Sequence, residues 1–300
     1  MAGGQERILR RRIKSVQSTK KITKAMELIA ASRIVKAQQR VLSARPYSDQ
    51  IVQVLHHLSV GGAATVNPLL RTVPDDEVRA VEYVVLGGDR GLSGGYNSSV
   101  IRAAETSIRR DRAAGRDIVL VTVGKKVQSY FRFRNHEIAA AINGTVDRPT
   151  YEDARRVAAE ILPRFAEDQV QRVQLIYTEF ISAGTQRVVE RRFLPLDAEA
   201  MGLAAEAPAQ DGPQADYEYE PDPTEILDAL LPRYVEARLF GAMLAGSASF
   251  FAAQQRAMAS ASDNADELIT KLTRQRNRAR QDSITTEIME IVSGAEALSK

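Results

Sequence analysis

The chain has 300 residues, of which 44% are hydrophobic and 26% charged, with a formal net charge of +3 and no cysteine. That length holds two domains, or one domain plus an extended element, and the missing thiols exclude disulfides, thiol catalysis, thiol switches and cysteine-based metal sites. No apolar run is long enough to predict a membrane span, and the N-terminus lacks the apolar segment of a signal peptide, so a cytoplasmic location is expected.

From Gln5 to about Leu58 the pattern predicts one long helix, with an apolar seam through Leu9, Ile13, Val16, Ile22, Met26 and Ile29. Pro46 is expected to kink this helix rather than end it, because apolar residues resume at Ile51, Val54, Leu55 and Leu58. The small residues Ala25, Ala30, Ala31, Ser32 and Ala37 would let a partner helix approach closely. Residues 1–45 carry twelve Lys or Arg and only Glu6 and Glu27 as acids, a net +10 that leaves −7 for the rest of the chain. Basic helices of this kind serve nucleic acid, anionic lipid or an acidic protein surface. No aromatic residue occurs before Tyr47, which argues against a stacking platform for nucleic acid.

The period then changes. Val81 to Leu86, Ile118 to Val123 and Val173 to Tyr177 are short apolar runs rich in β-branched residues, and Gln186 to Leu194 reads as a further strand at an edge. Asn97 to Ala114, Lys125 to about Arg132 and Thr150 to Ala166 are helix-compatible. This alternation predicts a small three-layer α/β domain with a largely parallel sheet.

From Leu194 to Leu231 there is no Lys or Arg but ten acids, and Ala204 to Pro223 is rich in Pro, Gly, Asp and Glu. Pro232 suits the first turn of a final helix, since no proline follows it. That helix would be about 65 residues long and span roughly 100 Å. Its seam runs through Ala261, Ala265, Leu268 and Leu272, then through Ile284, Ile288, Ile291, Ala295 and Leu298, with a register shift expected over 278–283. The divisions expected are 1–60 for the first helix, 77–200 for the α/β domain, 201–223 for an acidic linker and 224–300 for the last helix. Long terminal helices around one globular segment can bury their apolar faces only against each other or a partner.

Chemistry is sparse. Gly87 to Asn97 follows a strand and precedes a helix, where nucleotide-binding folds place a phosphate loop. It fits neither the dinucleotide fingerprint nor the P-loop, and Asp89 would repel a phosphate, so a glycine-permitted turn is the better reading. His56 and His57 diverge around a helix and do not form a metal pair, and His136 stands apart. No Ser/His/Asp arrangement or pair of carboxylates in a cleft is visible, so no catalytic residue, cofactor or metal is expected. A nucleotide-binding α/β enzyme and a basic coiled-coil adaptor are the alternatives that this pattern leaves.

Four segments carry a more specific message: Lys21 to Arg33 (KITKAMELIAASR), Asp89 to Asn97 (DRGLSGGYN), Asp216 to Asp222 (DYEYEPD) and Ala261 to Ala297. Together, and in this order, they resemble the γ subunit of the bacterial rotary (F-type) ATP synthase. The resemblance implies two terminal helices in an antiparallel coiled coil inside a ring of α and β subunits, and an α/β domain toward the membrane sector. It also implies the role of a central rotor shaft that couples proton-driven rotation of the membrane c-ring to ATP synthesis or hydrolysis in the α3β3 hexamer. As partners it implies the alpha and beta subunits, the epsilon subunit and the c-ring, at the cytoplasmic face of the plasma membrane, with no nucleic acid and no direct membrane span. The positions that match contacts with the α and β subunits are Lys24, Met26, Arg280, Gln281 and Thr285. Tyr217, Glu218, Tyr219 and Glu220 match the segment that meets the c-ring and the epsilon subunit. Where the family has a charged Ser-Glu pair, this chain has Ser249, Phe250 and Phe251, and two exposed phenylalanines making an apolar partner contact are expected there.

Overall fold

The computed structural model describes residues 2–60, 67–196, 220 and 222–298. The chain forms two units, one of Ser32–Ala253 and one of Met1–Ala31 with Gln254–Lys300. Two long helices contribute to both: α1, Ala2–Val60, which continues through Pro46, and the last helix, Pro223–Leu298.

Within Ser32–Ala253, α1 is followed by β1 (Ala80–Leu86), α2 (Tyr96–Ala113), β2 (Asp117–Val123), α3 (Lys125–Phe133), β3 (Ala140–Ile142), α4 (Tyr151–Ala166), β4 (Arg172–Phe180), β5 (Gln186–Leu194) and α5, the helix from Pro223. The strands form one sheet in the order β3-β2-β1-β4-β5, in which every pair is parallel except β4 and the edge strand β5. β3 escapes sequence reading because three residues, Ala-Ala-Ile, are too few to show a period. α4 starts where a capping box forms: Thr150 Oγ1 accepts the N–H of Asp153, and the Asp153 carboxylate accepts the N–H of Thr150.

Alternation along β1 sorts the core into two faces. Val81, Tyr83 and Val85 pack with Val100, Ile108 and Phe131 of α2 and α3. Ala80, Val84 and Leu86 pack with α4 and with Leu55 and Leu58 of α1 and Leu231, Val235 and Leu239 of α5. Helices therefore cover both faces, and the sheet is the middle of three layers. α5 begins nine residues before Pro232: Pro223 takes the first turn, and Asp222 Oδ1 accepts the N–H of Thr224 at 2.8 Å. The helix is thus 76 residues long, and Pro232 lies inside it.

The expectation of exposed phenylalanines fails. Phe250 and Phe251 are 1% and 2% exposed. They lie in a core with Ile34 and Ala37 of α1, Tyr96, Val146, Ala248 and Ala252, and Ser249 Oγ donates to the carbonyl of Thr178 at 3.1 Å. The cause is the face of α5 on which they fall, which turns toward the sheet and α1.

In the other unit, residues of α1 and α5 pair antiparallel: Thr23 and Ser262 share a hydrogen bond of 2.8 Å, and Lys20 Nζ lies 2.5 Å from Asp266 Oδ1. The buried stripe of α5 runs through Met258, Ser262, Ala265, Leu272, Ala279 and Ser283, in steps of three, four or seven. It crosses 278–283 without a register shift. On α1 the stripe is Ile13, Thr23 and Ala30, whereas Ile22 and Ile29 are 60% and 52% exposed. The two helices use small and polar residues for close approach, and this selects Thr23 over Ile22. Ile284, Ile288 and Ile291 are likewise exposed, because no described residue of α1 packs against that stretch.

Two measurements probe this packing. Glu82 is fully buried on β1, flanked in register by Val119 and Val173, and its Oε1 accepts from Arg164 Nη2 at 2.7 Å. Burial outweighs the Arg164 guanidinium and raises the carboxyl from 4.5 to about 7, with Glu160 adding to the rise. The unfolded chain loses this proton near 4.5 and the folded chain near 7, so between those values the folded state binds more protons. Stability falls as pH rises through that window, by up to about 3 kcal/mol. The urea midpoint should drop more between pH 5 and pH 8 for wild type than for Glu82→Gln; equal drops would contradict the assignment. Phe250→Ala should cost about 3–5 kcal/mol in urea unfolding, whereas a loss within about 0.5 kcal/mol would restore the exposed reading.

Candidate functional site

A doubly wound sheet offers its ligand crevice outside the carboxyl ends of the strands where the order reverses, here between β1 and β4. The turn from Gly87 to Gly95 lies at that edge. Side chains of the chain itself occupy it. Asp89 Oδ1 accepts the N–H of Lys125 at the start of α3 and the N–H of Gly144, at 3.1 and 3.0 Å, and its Oδ2 accepts the N–H of Val146 at 3.4 Å. A carboxylate therefore stands where a phosphate would meet a helix N-terminus. Asn97 accepts from the N–H of Gly88 and donates to the carbonyl of Arg90.

α5 closes the crevice from above. The Tyr96 hydroxyl donates to the carbonyl of Gly246 at 3.0 Å, and the Tyr96 and Phe250 rings meet edge to face, 5.5 Å between centroids. A Cβ on Gly88 would stand 3.0 Å from the Phe250 ring, so a larger residue there would press on that ring. Gly124 is held to glycine by conformation and by contact, with φ at 106° and the Gly87 carbonyl oxygen 2.4 Å from an added Cβ. What remains is a cavity of about 10 Å³ between Leu86, Thr145, Met243 and Ser247, room for about one water. The Gly87 to Gly95 turn itself therefore leaves no room for a nucleotide.

The residues matched to α and β contacts all lie in the unit of Met1–Ala31 with Gln254–Lys300. Arg280, Gln281 and Thr285 are exposed. Lys24 is exposed and pairs with Glu27 at 3.0 Å, and Met26 is half-buried. They do not form one cluster. Thr23 faces Ser262, so Arg280 lies some five turns, about 27 Å, further along the helix. The set divides into two levels of the coiled coil. By the same register Arg7, Arg10, Arg11, Arg12 and Lys14 of α1 run alongside Lys271, Arg274, Arg276, Arg278 and Arg280 of α5, and of these ten only Arg276 is not exposed. Of the four foot residues, Glu220 is exposed, and Tyr217, Glu218 and Tyr219 lie outside the described residues, as does the acidic stretch before them.

Sequence reading missed the residues that tie the Gly87 to Gly95 turn to its surroundings. Asp147, in the loop before α4, receives Arg90 of the turn and Arg33 of α1, the latter at 3.6 Å. Arg33 also lies over the Phe251 ring, 5.4 Å from its centroid. The signal was present, since Asp89, Arg90, Tyr96 and Asn97 lie in the DRGLSGGYN segment and Arg33 ends KITKAMELIAASR. Asp147 sits in neither.

The family model described as ATP synthase matches residues 5–298. The ATP synthase gamma chain of Parafrankia sp. is 47% identical over 99% of this chain and 98% of its own length. The ATP synthase gamma chain of Streptomyces coelicolor is 44% identical over 99% and 97%. Among solved structures, a chain of the mitochondrial ATP synthase of Euglena gracilis aligns with a TM-score of 0.66 at 18% identity, over 99% of this chain and 95% of that one. A chain from the central stalk and c-ring of the Tetrahymena thermophila mitochondrial enzyme aligns with a TM-score of 0.59 at 22% identity, over 80% and 99%. A match over nearly the whole length, at an identity well above that of chance, means that this chain belongs to the ATP synthase gamma-chain family.

Proposed function

We propose that this chain is the central rotor shaft of an F-type ATP synthase, itself non-catalytic, coupling proton-driven rotation of the c-ring to conformational change in the α3β3 hexamer. The observation that carries this reading is the surface of the Met1–Ala31 and Gln254–Lys300 unit. Its seam is built largely of Thr, Ser and Ala, while Ile22, Leu28, Ile29, Ile284, Ile288 and Ile291 face outward. Apolar side chains exposed on α1 and on the stretch of α5 beyond its pairing with α1 call for a surrounding partner, and the α and β subunits supply a sleeve. The cationic belt around Arg10 and Arg276 fits acidic loops of those subunits. With the epsilon subunit and the c-ring as further partners, the reading places the chain at the cytoplasmic face of the plasma membrane; no helix among the described residues is long and apolar enough to cross it.

The energetics suit a shaft that turns. Exposed ion pairs contribute about 0–1 kcal/mol each, so no single contact creates a well deep enough to stall rotation. Moving a catalytic subunit from mostly open to mostly closed requires a differential of about 5.5 kcal/mol between orientations. Apolar bearing contacts and several charged contacts must therefore act together. A basic coiled-coil adaptor explains the charge of α1 but neither the outward isoleucines nor the family match.

The test is the assembled complex carrying Arg280→Ala with Gln281→Ala. Assembly should persist, because these exposed side chains contribute little to total binding, while ATP hydrolysis and ATP-driven proton pumping both fall. Wild-type values for both would remove Arg280 and Gln281 from the coupling contacts. A chain that never associates with α and β subunits would overturn the rotor reading itself.

A further inference from the structure

A shaft driven at one end must pass a sideways load from its α/β domain to its long helices, and the interdigitated cores shared by the sheet, α1 and α5 carry part of it. Hydrogen bonds and ion pairs have fixed donor and acceptor positions and resist sliding. Such contacts gather at one place in the Ser32–Ala253 unit. Asp147 holds Arg33 of α1 and Arg90 of the glycine-rich turn. The loop that carries Asp147 is itself pinned, since Asp89 accepts the backbone N–H groups of Gly144 and Val146. The other end of the same turn reaches α5 through the Tyr96 hydroxyl on the Gly246 carbonyl. One loop cluster thus grips both helices, at the sheet edge where related architectures bind a ligand.

We infer that this cluster is a torque clasp, in which Asp147 is a positioning residue that ties α1 to the glycine-rich turn while Tyr96, at the other end of that turn, ties it to α5, so that rotation of the α/β domain becomes rotation of the helices. The inference rests on the rotor reading above. Asp147, Arg33 and Arg90 have side chains 45%, 42% and 50% exposed, so their ion pairs contribute little to stability. Their effect lies in stiffness, and this separates the clasp from an ordinary fold contact.

The experiment uses the assembled complex with Asp147→Ala and, as the conservative variant, Asp147→Glu. Angular fluctuations of a rod attached to the α/β domain in single immobilised complexes report torsional stiffness, beside bulk ATP hydrolysis and ATP-driven proton pumping. Because the chain has no cysteine, one introduced thiol gives a single attachment point on it, in a complex whose other subunits are freed of reactive cysteine. Asp147→Ala should assemble and hydrolyse ATP at the wild-type rate, show wider angular fluctuations and lose pumping, and Asp147→Glu should recover both. Wild-type stiffness and pumping in Asp147→Ala would overturn the clasp and leave the rotor reading standing. Failure of the wild-type complex to pump would strike the rotor reading instead. Should Asp147→Ala not assemble, Tyr96→Phe, which removes one hydrogen bond and little volume, carries the same expectation and the same contrary result.

Discussion

The structure depends on which face each long helix buries. In the Ser32–Ala253 unit α1 and α5 turn large side chains inward: Leu55, Leu58, Leu231, Leu239, Phe250 and Phe251 are all core. In the unit of Met1–Ala31 with Gln254–Lys300 the same helices invert this choice. Thr23, Ala30, Ser262, Ala265, Ala279 and Ser283 are inside with only Ile13, Met258 and Leu272 as large apolar residues among those described, while Ile22, Ile29, Ile284, Ile288 and Ile291 face out. Small side chains bring two backbones close but remove little apolar area from water, so the pair gains less from its own packing than a seam of leucines would. The remaining apolar area is available to a partner.

This inversion explains what could be read from the sequence and what could not. Strand runs such as VEYVVL and IVLVTV carry their period openly, and the three-layer sheet follows from them. The coiled-coil seam was legible at Ile13, Ala265 and Leu272, which are buried, and misread where further isoleucines were assigned to the inside. Ile22, Ile29, Ile284, Ile288 and Ile291 do recur at helical spacing, but that spacing reports a sticky face without saying what covers it. Phe250 and Phe251 failed in the opposite sense. An apolar pair where the family has charge suggested a partner, and the sheet edge of the same chain claimed it. Both errors have one source: periodicity gives the direction of a face, and only the fold gives its neighbour.

The glycine-rich turn shows the same limit from the chemical side. Asp89 was legible as an obstacle to phosphate, yet its three backbone donors come from residues 125, 144 and 146, which no local pattern brings together. Asp147 lies in an unremarkable loop and gains its partners only when α1 and the turn converge on it. The α/β domain thus has the strand order of a doubly wound sheet, with its crevice filled by its own Asp89, Tyr96 and Phe250.

If the inverted seam is the basis of the shaft, residues 2–31 and 254–295 owe much of their order to what surrounds them. Hydrogen exchange compares this directly in the free chain and in the assembled complex. The account predicts weak protection of these residues in the free chain and strong protection in the complex, with 232–252 protected in both. Equal, strong protection of 2–31 and 254–295 in the free chain would show that the coiled coil stands on its own packing, and would contradict the claim that its outward apolar face is made for a partner.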